Sequence, residues 1–276
     1  QVIEKGIYCF LFWKEEVAHY VLPTQSMNMK KVLKLMLALV MTFAIAGCSS
    51  SSKNDADVTI TIGTSPDYAP YESLNKKGEI VGFDVDMAKL FEGYLSDMEG
   101  KTYSLEFKQM DFDNIVTQIQ GDQIDLGISG FTYSEDRVVE WSDPYLGTQQ
   151  VAVVPNGSSI TSNDQLVGKK LAAQTGATGE QAAKEVENAD VVSMKNVQDI
   201  FNGLSSNQYD AAIVDLGVAK QYVSSGNFTQ LNGSLMDEKN YVIAKKGNTK
   251  MIKLMNKCIK KFVACLLYTS DAADEL

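Results

Sequence analysis

Histidine, arginine and pairable cysteine are almost missing from this chain. One histidine occurs in 276 residues. It is His19, in an N-terminal stretch without helical or strand period. Histidine-based catalysis and histidine metal sites are therefore not expected, and no metal or cofactor is assigned. Of the four cysteines, Cys9 and Cys265 fall in atypical terminal segments and Cys48 closes a leader-like segment. That leaves Cys258 alone, so no internal disulfide is expected. A long apolar run is missing too: Leu35 to Ile45 is shorter than the roughly 20 residues that span a bilayer. Positive charge is scarce. The net charge is −10, and all but one of the 25 basic residues are lysines. Such a surface does not suit nucleic acid, which wants a basic face.

The one arginine is Arg137. It closes Asp125-Leu-Gly-Ile-Ser-Gly-Phe-Thr-Tyr-Ser-Glu-Asp-Arg137, an apolar strand running into a polar loop. A guanidinium presents a planar fork of donors that matches a carboxylate, which lysine cannot do. A surface ion pair with Glu135, Asp136 or Glu140 would also account for it. Exposed pairs of that kind contribute only about 0–1 kcal/mol.

The ends of the chain read differently from its middle. Residues 1–28 look like translated upstream sequence rather than native protein. Residues 29–47 have a basic start, a short apolar core and small residues, as a secretory leader does. Ile45-Ala46-Gly47-Cys48 resembles a bacterial lipobox, which implies a lipidated Cys48 and palmitate-type anchoring at the membrane. Each buried lipid CH₂ contributes about 0.8 kcal/mol. Residues 48–56 then serve as a polar tether. Residues 265–276 resemble the translation of a sequencing adapter, so the native sequence is expected to be lost at about Ala264.

Between these ends one design occurs twice. Asn114-Ile-Val-Thr-Gln-Ile-Gln-Gly-Asp-Gln-Ile-Asp125 and Asp199-Ile-Phe-Asn-Gly-Leu-Ser-Ser-Asn-Gln-Tyr-Asp210 each read as helix, turn and the start of a strand. Two lobes built alike explain the echo. Val58 to Ile62 alternates as a strand. Phe83 to Leu95 fits a helix, with Met87, Phe91 and Leu95 on one stripe. Lys169 to Ala173 reads as a strand, and a helix follows through Glu187. Such alternation argues for α/β lobes with largely parallel sheets, whose ligands sit beyond the carboxyl ends of the strands.

Six motifs then carry a resemblance. They are Gly63-Thr-Ser-Pro-Asp-Tyr-Ala-Pro-Tyr-Glu72, Val81-Gly-Phe-Asp-Val-Asp86, Met110-Asp-Phe-Asp113, Asp125 through Arg137, Trp141-Ser-Asp-Pro-Tyr145 and Gln174-Thr-Gly-Ala-Thr-Gly-Glu180. From about Asp57 to Ala264 the chain resembles the polar amino-acid substrate-binding proteins of ABC importers. The resemblance implies a two-lobe type II periplasmic-binding-protein fold. Lobe 1 would be residues 57–146 and 242–264, and lobe 2 residues 147–241. Two hinge crossovers would lie near Tyr145–Val151 and Lys239–Ile243.

It also implies roles. Arg137 would take the ligand α-carboxylate, helped by Thr132, by the Ser129–Gly130 backbone and by Thr178 at a helix N-terminus. Asp215 would take the α-ammonium. Tyr68 and Phe112 would sandwich the side chain. Ser65 and Gln174 sit where ligand choice varies, and neither is charged, which points to a polar, uncharged L-amino acid such as glutamine. Asp67 is a nearby carboxylate that the sequence does not place. Plainer roles compete: Tyr68 and Phe112 as core aromatics, Thr178 as a helix cap, and Asp215 as a cap or turn residue. The Asp84–Asp86 pair reads as an offset to a helix dipole rather than a catalytic dyad. The implied protein is a monomeric, membrane-anchored receptor serving an ABC permease. An enzyme of this fold, similar to cyclohexadienyl dehydratase, and a sensory or adhesive lipoprotein are the alternatives.

Overall fold

The computed structural model describes residues 56–274, with side chains as far as Cys265. The leader, Cys48 and the tether up to Asp55 lie outside the described residues. No helix among the described residues is long and apolar enough to cross a membrane.

Two parallel three-stranded units form the frame. In the first, β1 (Val58–Thr64) lies between β5 (Tyr103–Gln109) and the short β6 (Leu126–Gly127). In the second, β8 (Lys170–Gln174) lies between β9 (Asp190–Met194) and β10 (Ala211–Asp215). Two long strands join them, β7 (Val139–Pro155) and β12 (Met236–Lys245). They pair antiparallel from Met236 opposite Gln150 to Lys245 opposite Val139, with shifts in register around Tyr241. The sheet therefore runs without a break through both lobes, in the order β5-β1-β6-β12-β7-β10-β8-β9, with β11 (Phe228–Gln230) on β7. A small hairpin sheet of β2 (Asp67–Tyr68), β3 (Glu72–Leu74) and β4 (Ile80–Val81) stands beside it.

Helices lie over both faces of each parallel unit; β10 is buried throughout and β8 from Leu171 onward, while β1 alternates and the edge strands β5 and β9 stay partly exposed. Over the first unit, Met87, Phe91 and Leu95 of α1 (Phe83–Glu99) meet Ile60, Ile62 and Leu105. Met255, Ile259 and Phe262 of α6 (Thr249–Asp274) join the same core. The expected helix stripe is the buried one, and the helix runs one turn further than its stripe suggested. It stops at Gly100, whose φ of 67° is left-handed and whose N–H closes on Ser96 O. On the opposite face, α2 (Phe112–Gln120) packs Ile115 and Ile119 against Ile124 and Ile243. In the second lobe, α3 (Thr178–Glu185) and α4 (Val197–Ser205) cover the two faces, and α5 (Leu216–Ser224) follows β10.

The internal echo holds at the level of single hydrogen bonds. Helices α2 and α4 start 85 positions apart (197 − 112). Each ends in a turn through a left-handed residue, Asp122 at φ 56° and Asn207 at φ 55°. Asp125 then binds Thr61, its N–H going to the Thr61 carbonyl and its Oδ2 accepting the Thr61 N–H at 2.8 Å. Asp210 does the same to Lys170, also at 2.8 Å. In each lobe an aspartate pins the returning strand to its parallel neighbour.

This equivalence gives a first prediction. Asp125→Ala and Asp210→Ala should each lower stability by about 1 kcal/mol. The sites share no partner, so the double variant should lose the sum. Urea unfolding monitored by circular dichroism reads this out, and a change at only one aspartate would break the equivalence.

Candidate functional site

A narrow cavity lies where the carboxyl ends of both parallel units face each other. It is lined by Tyr68, Phe112, Ser129, Gly130, Thr132, Arg137, Gln150, Gln174, Ala177 and Thr178. Eight of the ten carry roles implied by the sequence; Gln150 and Ala177 do not. Local structure delivers each one. Phe112 and Thr178 are the first residues of α2 and α3, Gln174 ends β8, and Ser129 and Gly130 follow β6. Gln150 sits within β7, on the crossover itself.

Arg137 is held without a carboxylate bonded to it. Its Nη1 donates to Thr132 O, and its Nη2 donates to Gly176 O at 2.7 Å. The guanidinium carbon stands 5.4 Å from the Phe112 ring centre and 5.3 Å from that of Phe131. Those rings stack on each other at 4.7 Å. The arginine therefore rests against an aromatic shelf, an arrangement that keeps a cation in place. Glu140, one of its candidate surface partners, pairs with Lys246 instead. Among the described residues no ion pair joins Arg137 to Glu135, Asp136 or Glu140, so the surface-pair reading is set aside. Burial pulls its pKa down to about 10, against the opposing charge of Glu238. It stays a cation at neutral pH. Glu238 is a layer back, its Oε2 accepting the Thr132 hydroxyl and the Gln150 amide, both at 3.0 Å.

Thr178 faces Arg137 from the second lobe. It is not the helix cap: the N-cap is Ala177, which makes no side-chain cap bond. The first N–H groups of α3 are thus free of a capping side chain, as suits an anion. Gly179 lets this helix end approach so closely, since a Cβ there would lie 2.7 Å from Gln150 Oε1 and 2.8 Å from Ile213 O.

Two implied residues, Ser65 and Asp215, are not among those that line the narrow cavity. Ser65 lines a wider outer space of about 830 Å³, shared with Asp67, Asp111, Lys195 and Tyr222, not the narrow cavity. Its hydroxyl turns to Asp67 at 2.7 Å and its N–H to Ser129 Oγ at 3.1 Å. Asp215 is not among the lining residues either. It is the N-cap of α5, accepting Gly217 N–H at 2.7 Å. It also accepts the hydroxyls of Tyr71 and Thr148, each at 2.7 Å. Burial pushes its pKa up to about 6 despite those donors. Gly130 does line the cavity, but its N–H is spent on Asp84 and its carbonyl on Asn240. Asp67 now has a place at the junction of the two spaces. Its Oδ2 accepts Val197 N–H at 2.8 Å and the Gln174 amide at 3.3 Å.

Several of these bonds cross between the lobes. Arg137 reaches Gly176, Asp67 reaches Val197, and Tyr71 reaches Asp215. At the rim Lys195 pairs with Asp111 at 3.3 Å and Asp113 at 3.7 Å. Gln150 and Glu238 escaped the sequence reading. The only trace of Gln150 is a polar residue directly ahead of Val151 to Val154 in a buried strand.

A family model described as bacterial extracellular solute-binding proteins, family 3, matches residues 60–265. The arginine-binding extracellular protein ArtP of Bacillus subtilis (strain 168) is 32% identical over 244 residues, covering 84% of this chain and 92% of that protein. The ABC transporter glutamine-binding protein GlnH of the same organism is 30% identical over 258 residues, with 84% and 92% covered. Among solved structures, the arginine-bound form of truncated ArgBP from T. maritima aligns with a TM-score of 0.67 at 31% identity, covering 74% of this chain and 95% of that one. These relatives are named as binding proteins, and the family model describes extracellular solute binding. With two α/β lobes facing each other across a cavity and a family match over most of the described residues, the chain belongs to family 3 of the bacterial extracellular solute-binding proteins.

Proposed function

We propose that this protein is the receptor of an ABC amino-acid importer and takes a polar, uncharged L-amino acid, glutamine foremost, into the narrow cavity. One observation carries the reading. The only arginine of the chain sits in that cavity on aromatic rings and backbone carbonyls, with no carboxylate of its own bonded to it. Such a fork is matched to a ligand carboxylate, at roughly 1.5–3 kcal/mol per charge-assisted hydrogen bond. The N-terminus of α3 at Thr178 completes the anion site, and Thr132, its hydroxyl turned to Glu238, lines it and lends Arg137 its carbonyl. Asp215 serves the α-ammonium: its Oδ2 accepts only the Thr148 hydroxyl and so keeps acceptor capacity. Tyr68 and Phe112 flank the ligand, and Ser129 and Gly130 form the floor.

The uncharged side chain is argued from Ser65, Asp67 and Gln174. Asp67 is the carboxylate a basic side chain would seek, but it already takes donors from Ser65, Gln174 and Val197. The relatives bear names of arginine-, histidine- and glutamine-binding proteins, so a basic ligand is the reading to test against. In this proposal lobe 1 is residues 57–146 and 242–264, and lobe 2 is residues 147–241. The protein acts as a monomer, lipid-anchored through Cys48 behind a cleaved signal peptide, and hands its ligand to a permease.

Thermal-shift measurements on the full chain against the common L-amino acids test the core of this. A ligand at 100 times its Kd stabilises by about 2.7 kcal/mol. Glutamine should shift the melting temperature, and both Arg137→Ala and Arg137→Lys should abolish the shift. A response to arginine or lysine alone would sink the uncharged reading, and silence from every amino acid would sink the receptor reading.

The Asp215 role predicts a pH dependence. With its pKa raised to about 6, Asp215 favours folding while protonated. That contribution is full below its unfolded pKa, about 4, and is lost as pH rises through about 6. Pairing with a ligand ammonium rewards the ionised form, so ligand affinity should rise between about pH 5 and pH 7. Titration calorimetry should find that rise flattened in Asp215→Asn. The anchor is tested separately: labelled palmitate should enter the protein in cells and not its Cys48→Ala variant.

A further inference from the structure

Two carboxyl groups without a cation lie under the Ser129–Gly130 turn. Glu72 is on β3 and Asp84 is in the first turn of α1; both are 0% exposed. The sequence reading gave Asp84 and Asp86 one shared role at the helix dipole. Only Asp86 behaves so, paired with Lys89 at the surface. Asp84 instead turns inward and meets Glu72 carboxyl to carboxyl. Each acid grips one residue of the turn. Ser129 Oγ donates to Glu72 Oε1 at 2.9 Å, and Gly130 N–H donates to Asp84 Oδ2 at 2.9 Å. The Tyr145 hydroxyl donates to Asp84, 2.9 and 3.0 Å from its two oxygens.

The remaining Glu72 oxygen, Oε2, is buried and has no hydrogen-bond partner. Among the described residues no lysine or arginine makes an ion pair with either acid. The other titratable groups around them are Asp67, Tyr68, Tyr71 and Tyr145, none of which brings positive charge. Two ionised carboxylates in contact would leave two uncompensated charges in the core. One proton on Glu72 resolves both problems: the orphaned oxygen becomes a donor, and Asp84 is the acceptor in front of it. Burial and the Asp84 charge both push the Glu72 pKa well up.

We propose that Glu72 and Asp84 are positioning residues of the ligand site, sharing one proton and thereby holding the Ser129–Gly130 turn in its ligand-binding shape. Neither lines the cavity; they act through the turn that does. Gly130 has a left-handed φ of 56°, and its anchored N–H fixes that conformation. The positioning half rests on the amino-acid-receptor reading; the shared proton does not. The two acids are not equivalent. Glu72 carries the proton, so Glu72→Gln reproduces its donor and its acceptor. Asp84 receives donors from Gly130, Tyr145 and Glu72, so Asp84→Asn sets an amide donor against another donor.

The test uses the full chain and three variants. Infrared spectra at neutral pH should show the carbonyl band of a buried carboxylic acid in the wild type, and Glu72→Gln should lack it. Glu72→Gln should bind glutamine within about threefold of wild type, and Asp84→Asn at least about tenfold more weakly. Because the Glu72 pKa is raised, wild-type stability should fall as pH rises through the titration of the pair, and Glu72→Gln should lose that fall. If Asp84→Asn does not fold, Tyr145→Phe replaces it, with several-fold weaker binding expected. A missing acid band, or one that persists in Glu72→Gln, overturns the shared proton. Equal losses of affinity in the Glu72 and Asp84 variants, or none in Asp84→Asn or its replacement, overturn the positioning role. If the wild type binds no amino acid, the positioning role falls with the receptor reading, while the infrared band still decides the proton.

Discussion

Everything in this molecule hangs on the antiparallel ladder between β7 and β12. Each parallel unit is complete on its own faces, with helices over both sides, and would have no reason to meet the other. The ladder carries one sheet through both. It also supplies the site. Gln150 comes from the middle of β7, Glu238 from the start of β12, and Thr132 lies in a bridge to Asn240. Arg137 enters just before β7 begins. The cavity is thus built around the strands that join the lobes, at the place where a change in their geometry is felt most.

The chemistry of the site follows from how its carboxylates are compensated. Asp67, Asp215 and Glu238, with the Glu72–Asp84 pair, are all at least partly buried near the cavity. Ionised groups in such places usually need a counter-ion. Here neutral donors do that work: the hydroxyls of Tyr71, Thr148, Tyr145, Ser129 and Thr132, and the backbone N–H groups of Val197, Gly217 and Gly130. The consequence is electrostatic. No acid forms an ion pair with Arg137 among the described residues, so the single guanidinium keeps its charge for something else.

Local pattern was readable; long-range pairing was not. The repeated helix-turn-strand could be seen because apolar spacing and turn residues lie within a dozen positions of each other. It held down to the bonds of Asp125 and Asp210. Most cavity-lining residues were found because they fall at strand ends and helix starts, which motifs mark. Asp84 was misread because its partners are elsewhere in the chain: Glu72 is 12 residues back, Gly130 46 residues on and Tyr145 61 residues on (84 − 72, 130 − 84 and 145 − 84). Asp215 was assigned by type, but its three internal donors, above all Tyr71, are invisible without the fold. Gln150 and Glu238 were missed for the same reason.

The bonds that cross between the lobes bear on release as well as capture. Lys195 is more than half exposed and pairs directly with Asp111 and Asp113 at the rim. Exposed pairs of this kind are weak and weaken further with salt. A carrier whose halves were locked by strong contacts of their own would not surrender its cargo. The rim thus adds only soft, screened charges to the inner bonds of Arg137, Asp67 and Tyr71 that also cross between the lobes. For the proposed receptor this leaves a rim that opposes neither the entry of a ligand nor its release, and that raising the salt concentration loosens further.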